Sequence, residues 1–406
     1  MLGDRIRKLR KQKKLTLEAL AGEGITKGML SLIENNKANP SMESLAFIAE
    51  GLSVEVSELL EEVSSQELRE ILEQAEKLYN QENSANKYQQ LIKLIKPYIG
   101  NLTQGYESAR LLEIYSRCLY NEKMDGWQEF TSQAATMYDQ MNLTANRAGI
   151  TIFRATVKFI DHAYTQALAV ISKERTEIEA NHAYIDPMTR VDLDYHEAML
   201  HFAIGDYDAA TTMMESAINF SKKHRIFYRI DDLYRLAAGQ ALLSRDEKKK
   251  ELYLTKLKQY GEFADDLASI IVHDLMIAIS LNSEKKEYSR ALEIIDQYLS
   301  NPKFADIFGG LYLIEKGKSL YGLRQFDEAI LCLDKVETPS TTHHPFDLSL
   351  YYVRDSYKAL CHFELGAVEE ALQSIKRAVD HFESLPHTLF KDFTFDAYNK
   401  IRAKIS

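Results

Sequence analysis

The chain of 406 residues is long enough for two or three domains with sizeable cores. Its 45% hydrophobic and 27% charged residues are typical of a folded globular protein and exclude a disordered chain. The seven prolines are few for this length, which favours long helices over strands and turns. Three scattered cysteines exclude a disulfide framework and indicate a reducing compartment.

The charged opening, MLGDRIRKLRKQKK, is not followed by an apolar region, so the sequence predicts no signal peptide. The most apolar stretch, Ala268 to Leu281, is too short to span a bilayer and contains His273 and Asp274. These features predict a cytoplasmic protein.

Charge is distributed unevenly along the chain. The net charge of −10 argues by itself against nucleic acid, but residues 1–40 contain nine Lys or Arg and only four Asp or Glu. A basic N-terminal module on an acidic body predicts that attraction to phosphates is confined to the N terminus.

The N-terminal stretch predicts five helices. The first runs from Leu2 to about Lys14 with its basic residues outward, and the last two run from Met42 to Gly51 and from Val54 to Leu60. Between them lie two short helices, N-capped by Thr16 and Thr26. The tight turn that joins them contains Gly22 and Gly24, and Asn35 and Asn36 end the second helix. We expect its inward face to consist of Met29, Leu30 and Ile33.

A helix, a glycine-containing turn and a second helix are how a DNA-reading helix is presented to the major groove. Three groups of residues here agree in register with a known motif: Leu15-Thr16-x-Glu18-x-Leu20-Ala21, Ser31-x-Ile33-Glu34-Asn35 and Asn39-Pro40-Ser41. On these residues, the sequence from about Leu2 to Leu60 resembles the phage-repressor-type (XRE) helix-turn-helix.

The resemblance implies that early positions of the second helix face base edges. Here those positions are Lys27 and Gly28, with Ser31 and Leu32 one turn later. Lys27 could donate to guanine acceptors, and Leu32 could contact a thymine methyl group. Five polar residues are suited to phosphate contacts: Thr16, Thr26, Asn35, Asn36 and Lys37.

The sequence departs from the family pattern at two of the positions predicted to contact DNA. Leu17 occupies a position where Gln is common, and Gly28 offers no side chain. More specificity should then come from DNA shape and half-site spacing. One module reads few base pairs, so we expect a homodimer or higher oligomer on an inverted-repeat operator of double-stranded DNA. The alternative is a helical domain that only resembles a DNA reader.

A capping box, Ser64-Ser65-Gln66-Glu67, begins a helix that should connect the DNA module to the body, and a polar stretch at 80–86 follows it. The predicted domains are therefore 1–62 (helix-turn-helix), 63–86 (linker helix) and 87–406 (repeats).

One phrase recurs from about residue 88 onward, an aromatic or apolar residue followed three positions later by alanine and an apolar helix. It occurs at Tyr164–Ala167, Tyr207–Ala210, Tyr288–Ala291, Phe326–Ala329 and Val368–Ala371. The alanines are 43, 81, 38 and 42 residues apart, and 81 is about two units. Degenerate units near Trp127 and Glu247 raise the count to about seven. The predicted fold is all-α, an N-terminal five-helix XRE-type domain followed by an α-solenoid of about seven tetratricopeptide-repeat-like (TPR-like) hairpins. The alternative is an all-α bundle.

This plan resembles the bacterial quorum-sensing regulators of the RRNPP family, which includes NprR, PlcR, PrgX and Rgg. NprR is the most similar member in length and in its N-terminal stretch. The resemblance implies a short peptide effector bound in the concave groove of the repeats. In the usual layout, the inward residues of the first helices would be Tyr195, His196, Met199, His273, Ser280, Lys318 and Ser356. Relatives hold the peptide backbone with asparagines, and the one expected near His196 is absent. The alternative is a scaffold that only dimerises.

No pattern in the chain points to catalysis. His196-Glu197-x-x-x-His201 comes close to a zinc-protease motif, but histidines five apart lie about 140° apart around a helix and do not share a metal easily. We therefore expect no enzyme, no metal and no cofactor. His343-His344-Pro345 is expected in a solvated loop or a mobile gate, and 246–250 on a solvated helix face.

The sequence predicts a cytoplasmic transcriptional regulator whose repeats dimerise and sense a peptide. One alternative is that the repeats bind or sequester a partner protein such as a phosphorelay response regulator, as the related Rap proteins do. Another is a mobile-element repressor that needs no small effector.

Overall fold

The computed structural model describes residues 2–60, 64–81 and 86–405, without the side chains of 57, 58, 302–307 and 405. All regular structure within these ranges is helical, with no strand. The chain divides into two compact units, Met1–Ile150 and Thr151–Ser406.

Five helices form the N-terminal module: α1 (Leu2–Gln12), α2 (Leu17–Ala21), α3 (Lys27–Glu34), α4 (Met42–Leu52) and α5 (Val56–Leu60). The predicted caps are in place, since the hydroxyls of Thr16 and Thr26 accept from the amides of Ala19 (3.1 Å) and Met29 (3.2 Å). The apolar side chains meet in a single core that includes Ile6, Leu20, Leu30, Ile33, Ile48 and Leu52. The predicted five-helix domain is confirmed, with α1 two residues shorter and α5 starting two residues later than expected.

The rest of the first unit contains α6 (Ser65–Tyr79), α7 (Lys87–Ile95), the 3₁₀ helix Lys96–Asn101, α8 (Tyr106–Asn121) and α9 (Trp127–Gln140). Ser64 caps α6 by accepting from the Glu67 amide (3.2 Å), as the capping box predicts. The predicted boundary at 62/63 and most of the polar break at 80–86 lie outside the described residues. The three domain ranges stay predictions.

Helix α10 (Thr144–Ile160) crosses the boundary between the units. The second unit continues with α11 (Tyr164–Asn181), α12 (Pro187–Ile204), α13 (Tyr207–His224), α14 (Ile230–Leu243), α15 (Glu247–Ala264), α16 (Leu267–Ser280), α17 (Tyr288–Leu299), α18 (Pro302–Gly322), α19 (Phe326–Leu333), α20 (Pro345–Glu364), α21 (Val368–Glu383) and α22 (Leu389–Ile405). Pairing from α8/α9 to α20/α21 gives seven consecutive hairpins among the described residues, as predicted.

The recurring phrase marks the start of the second helix of a hairpin. The phrase begins α11, α13, α17, α19 and α21, and in each the alanine three residues later is completely buried: Ala167, Ala210, Ala291, Ala329 and Ala371. A small side chain there lets the two helices of a hairpin approach closely. The remaining hairpin in this run, α14/α15, divides the gap of 81 residues into 40 and 41.

The α15 helix has Lys250 where the other hairpins have alanine. Lys250 is buried, with its ammonium group held by Glu247, Glu284 and the Ser280 hydroxyl. The prediction that residues 246–250 form a solvated face was therefore wrong at Lys250, because the repeat register turns this position inward.

Each hairpin turn from α10/α11 onward has a left-handed residue two positions before the second helix. Gly205 and Gly366 occupy two of these positions, with φ of 84° and 79°. The other four hold residues with a side chain: His162, Arg245, Lys286 and Arg324, with φ between 55° and 65°. The turn geometry repeats although the glycine does not, so the sequence shows only two of the six turns.

Segment Leu267–Lys285, α16 plus a π-helical turn, is long and apolar enough to cross a membrane, with a mean hydropathy of 1.3. However, 56% of it is buried inside the protein. Ile271, Leu275 and Ile279 belong to the main hydrophobic cluster of the second unit, as expected of a core helix.

The α19 helix has only eight residues, and residues 334–344 follow it as a non-helical segment. This segment contacts earlier hairpins, since the Tyr164 hydroxyl donates to the His343 carbonyl (2.7 Å) and the His344 ring packs on Phe202 at 4.9 Å. A parallel contact runs from the Tyr207 hydroxyl to the His387 carbonyl (2.6 Å). His344 is buried, so the prediction of a solvated loop was wrong there.

Candidate functional site

Most residues predicted to contact DNA lie on the surface around α3. Leu17 and Ser31 are half-buried, and Leu17 packs against the core of the N-terminal module. The other eight are exposed: Thr16, Thr26, Lys27, Gly28, Leu32, Asn35, Asn36 and Lys37. The structure therefore brings the predicted set together on α3 and its two flanking segments.

A buried ion pair fixes α3 against α1. Arg10 donates from Nε and Nη2 to the two carboxylate oxygens of Glu34 (2.6 and 2.7 Å), and Nη1 donates to the Leu15 carbonyl (2.9 Å). The Arg10 and Glu34 side chains are 12% and 4% exposed. We expected the basic residues of α1 to point outward, and Arg10 does not, because it neutralises a carboxylate that the motif places in the core.

The polar side chains around α3 are largely engaged by the protein itself. Lys27 forms an ion pair with Glu18 of α2, and this ammonium group holds the Glu18 pKa below its usual range. The Asn35 amide donates to the Ser31 carbonyl (2.7 Å). The Asn36 side chain accepts from the Gly3 amide and donates to Asp4, both at 2.9 Å. These contacts position the loop that follows α3.

Met29 is not on the inward face of α3. Leu30 and Ile33 are buried as predicted, but Met29 is 46% exposed, the same fraction as Leu32. Met29 and Leu32 are three residues apart, so they are neighbours on the outer side of the helix. A Cβ added at Gly28 would meet nothing within 4 Å, so the surface beside them is open. Sequence reasoning missed Met29, because a short amphipathic helix leaves its flanking positions undetermined.

The second unit contains a cleft of about 740 Å³ among α16, α18, α20 and α22. Lys318, one of the predicted groove residues, is fully buried at this cleft, with Nζ 2.7 Å from Glu315 and 3.2 Å from Ser283. Asn282 of the π-helical turn donates to both the carbonyl and the carboxylate of Glu315 (2.9 Å each). The walls are aromatic, formed by Tyr288, Tyr321, Tyr357, Phe390 and Phe393. Asn282 was not predicted, since its position depends on the π-helical turn.

A smaller cleft of about 290 Å³ lies between α12, α14 and the segment after α19. The predicted groove residues Tyr195 and Met199 line it, together with Arg235, Thr342 and His344. Burial raises the pKa of Tyr195 to about 12 and lowers that of His344. The His344 ring nitrogen Nε2 lies 3.3 Å from the Met199 carbonyl.

The other predicted groove residues do not line either of these two clefts. Ser280 is buried and bonded to Glu284, and the Ser356 hydroxyl lies 2.8 Å from that of Thr394 in α22. His273 lies 2.8 Å from its neighbour Asp274, and the His196 ring lies 2.7 Å from the Asp192 carbonyl. The predicted roles of these residues stay predictions, as do the absence of catalysis, metals and cofactors and the binding of a response regulator.

Comparison with protein families identifies the N-terminal module. Residues 6–59 match the helix-turn-helix family HTH_3. These residues form a helix-turn-helix domain, the kind through which DNA-binding regulators contact their sites. The comparison with curated proteins gives no match.

Among solved structures, the chain is similar to Bacillus thuringiensis PlcR, described in complex with the peptide PapR7 and DNA. The identity is 18% over 65% of this chain and 95% of that one, with a TM-score of 0.37. It is also similar to the Streptococcus dysgalactiae SHP pheromone receptor Rgg2 (16%, 67% and 98%, TM-score 0.31). A third is ComR from S. thermophilus, described with DNA and its signalling peptide ComS (16%, 69% and 99%, TM-score 0.29). The particular similarity to NprR stays a prediction.

Proposed function

We propose that the chain is a cytoplasmic DNA-binding transcriptional regulator that acts as a homodimer or higher oligomer on an inverted-repeat operator. The observation that carries this proposal is the exposed face of α3, held against the module's core by Leu30, Ile33 and the Arg10–Glu34 pair. The excess of five positive charges in residues 1–40 supplies attraction to phosphates, while the acidic remainder limits binding elsewhere.

The repeat body is proposed to sense a short peptide. Two clefts with mixed aromatic and charged linings support this, since peptide side chains need apolar pockets beside a few fixed polar groups. The resemblance to the RRNPP family supports it as well. An effector that prefers one arrangement of the hairpins would shift the population toward it, and so change the spacing of the two DNA modules in the oligomer.

The DNA part is tested by selection from a pool of random duplexes with the purified full-length protein. We expect an inverted repeat to be enriched by wild type and far less by Lys27→Ala/Lys37→Ala, which removes two exposed charges beside α3. Lys93→Ala/Lys96→Ala removes two exposed charges from another part of the first unit and should enrich the same repeat. Failure of wild type to enrich any sequence, even at low salt, would contradict the proposal.

The sensing part is tested by adding short synthetic peptides to the protein on its selected operator. A peptide that binds should change the operator dissociation constant or the oligomeric state. Peptide binding that leaves both unchanged would refute sensing while leaving the DNA part intact.

A further inference from the structure

The outer side of α3 is apolar where a DNA reader usually presents hydrogen-bonding groups. Lys27 is paired with Glu18, and the side chains of Asn35 and Asn36 bond within the module. Gly28 contributes no side chain. The large side chains left on this face are those of Met29 and Leu32, each 46% exposed and one helical turn apart.

We propose that Met29 and Leu32 read the C5 methyl groups of two thymines in each operator half-site. This inference rests on the proposed function and names what its reading surface recognises. The thymine methyl is the apolar group that base pairs present in the major groove, so it is the partner that matches two exposed hydrophobic side chains there. Hydrogen bonds from Lys27 then have a secondary part in base recognition.

The charge around this face favours DNA over a protein partner as its occupant. The module carries five more positive than negative charges over residues 1–40, and Lys37 is exposed just beyond α3. A duplex would satisfy these charges at its phosphates while the helix enters the groove. The open space at Gly28 removes a steric barrier to close approach.

The test uses the full-length protein and the duplex obtained by selection. Each thymine of a half-site is replaced, one at a time, by deoxyuridine, which removes the methyl group and keeps every hydrogen-bonding group. We expect two positions at which affinity falls about fourfold, the factor that corresponds to one buried methyl. Met29→Ala should abolish the loss at one of these positions, and Leu32→Ala at the other.

Met124→Ala is the matched control, because Met124 has the same 46% exposure in another part of the first unit. It should keep the wild-type response to deoxyuridine. Replacing the sensitive thymine by 5-methylcytosine should cost less affinity than replacing it by cytosine, since only the former keeps the methyl.

A selected duplex that binds tightly but is indifferent to deoxyuridine at every position would overturn the inference and leave the proposed function standing. An altered oligomeric state of Met29→Ala with unchanged DNA binding would also overturn it, by assigning this face to a protein contact. If no duplex can be selected at all, the proposed function itself fails.

Discussion

The helix-turn-helix module and the repeat body place their polar residues by different means. In the module, residues close in sequence decide the arrangement, since capping threonines and one short helix put most of the predicted contacts on the surface. In the body, contacts between residues more than 30 apart decide it, and they bury Lys250, Lys318 and Asn282. A short motif therefore locates a reading surface, whereas a groove emerges only from packing.

The largest effect is expected from the ion pair buried at the large cleft. Lys318→Met leaves Glu315 charged and without its cation in the core, which should lower the free energy of unfolding by about 4 kcal/mol. Urea unfolding of the second unit measures this. Adding Glu315→Gln should recover part of the loss, and Lys286→Met, at an exposed position on the same cleft, should cost under about 0.5 kcal/mol. A small loss in Lys318→Met would show that the pair does not stabilise the body.

The equivalent change in the module is Glu34→Ala, which leaves Arg10 buried without its carboxylate. We expect a loss of about 3 kcal/mol in module stability and weakened DNA binding, because α3 loses its attachment to α1. Glu23→Ala removes an exposed carboxylate and serves as the control in the same denaturation series. Equal stability of the two variants would refute the role given to the pair.

The contacts between distant hairpins should be weaker. Tyr164→Phe and Tyr207→Phe each remove one hydrogen bond to a carbonyl about 180 residues away, at an expected cost of about 1 kcal/mol each. Tyr106→Phe, an exposed tyrosine in the first unit, is the control. Hydrogen exchange should show the loss spreading to the segment after α19 in Tyr164→Phe. Exchange that is unchanged there would mean that this bond does not hold the segment.

Acid should destabilise the second unit through its buried histidines. Burial lowers the pKa of His344, so the unfolded chain takes up a proton near the ordinary value of 6.5 while the folded chain does not. Stability is then fully present above that pH and falls below it. The melting temperature at pH 5.5 should be lower than at pH 7.5 by roughly 2–4 °C, and His344→Gln should reduce the difference. His387→Gln, at a side chain that is 75% exposed, should not.

The smallest effect concerns Glu18, which is exposed and paired with Lys27. Glu18→Gln removes a negative charge from the DNA-facing surface and releases the lysine, so affinity should rise a few-fold for all sequences alike. Titrations at several salt concentrations should show a slightly steeper salt dependence than in wild type. A gain confined to one sequence would instead assign Lys27 to base recognition.

The sequence was sufficient for the fold class, the five N-terminal helices and the hairpin register. Those features follow from caps and from a small residue at a fixed place, such as Ala210 or Ala329. The lining of the clefts was not predictable, because Ser356 faces α22 and Asn282 lies on a π-helical turn. Turns at residues such as Arg245 were hidden as well, since a left-handed residue need not be glycine.

The central claim is that the outer face of α3 enters DNA, and Gly28→Glu tests it most directly. The added side chain meets open space in the protein, so folding should be unaffected, while its bulk and negative charge would face the duplex. With wild type binding its selected site ~10³-fold more tightly than random DNA, this ratio should collapse in Gly28→Glu and persist in Gly100→Glu, another open position. An unchanged ratio in Gly28→Glu would contradict the account.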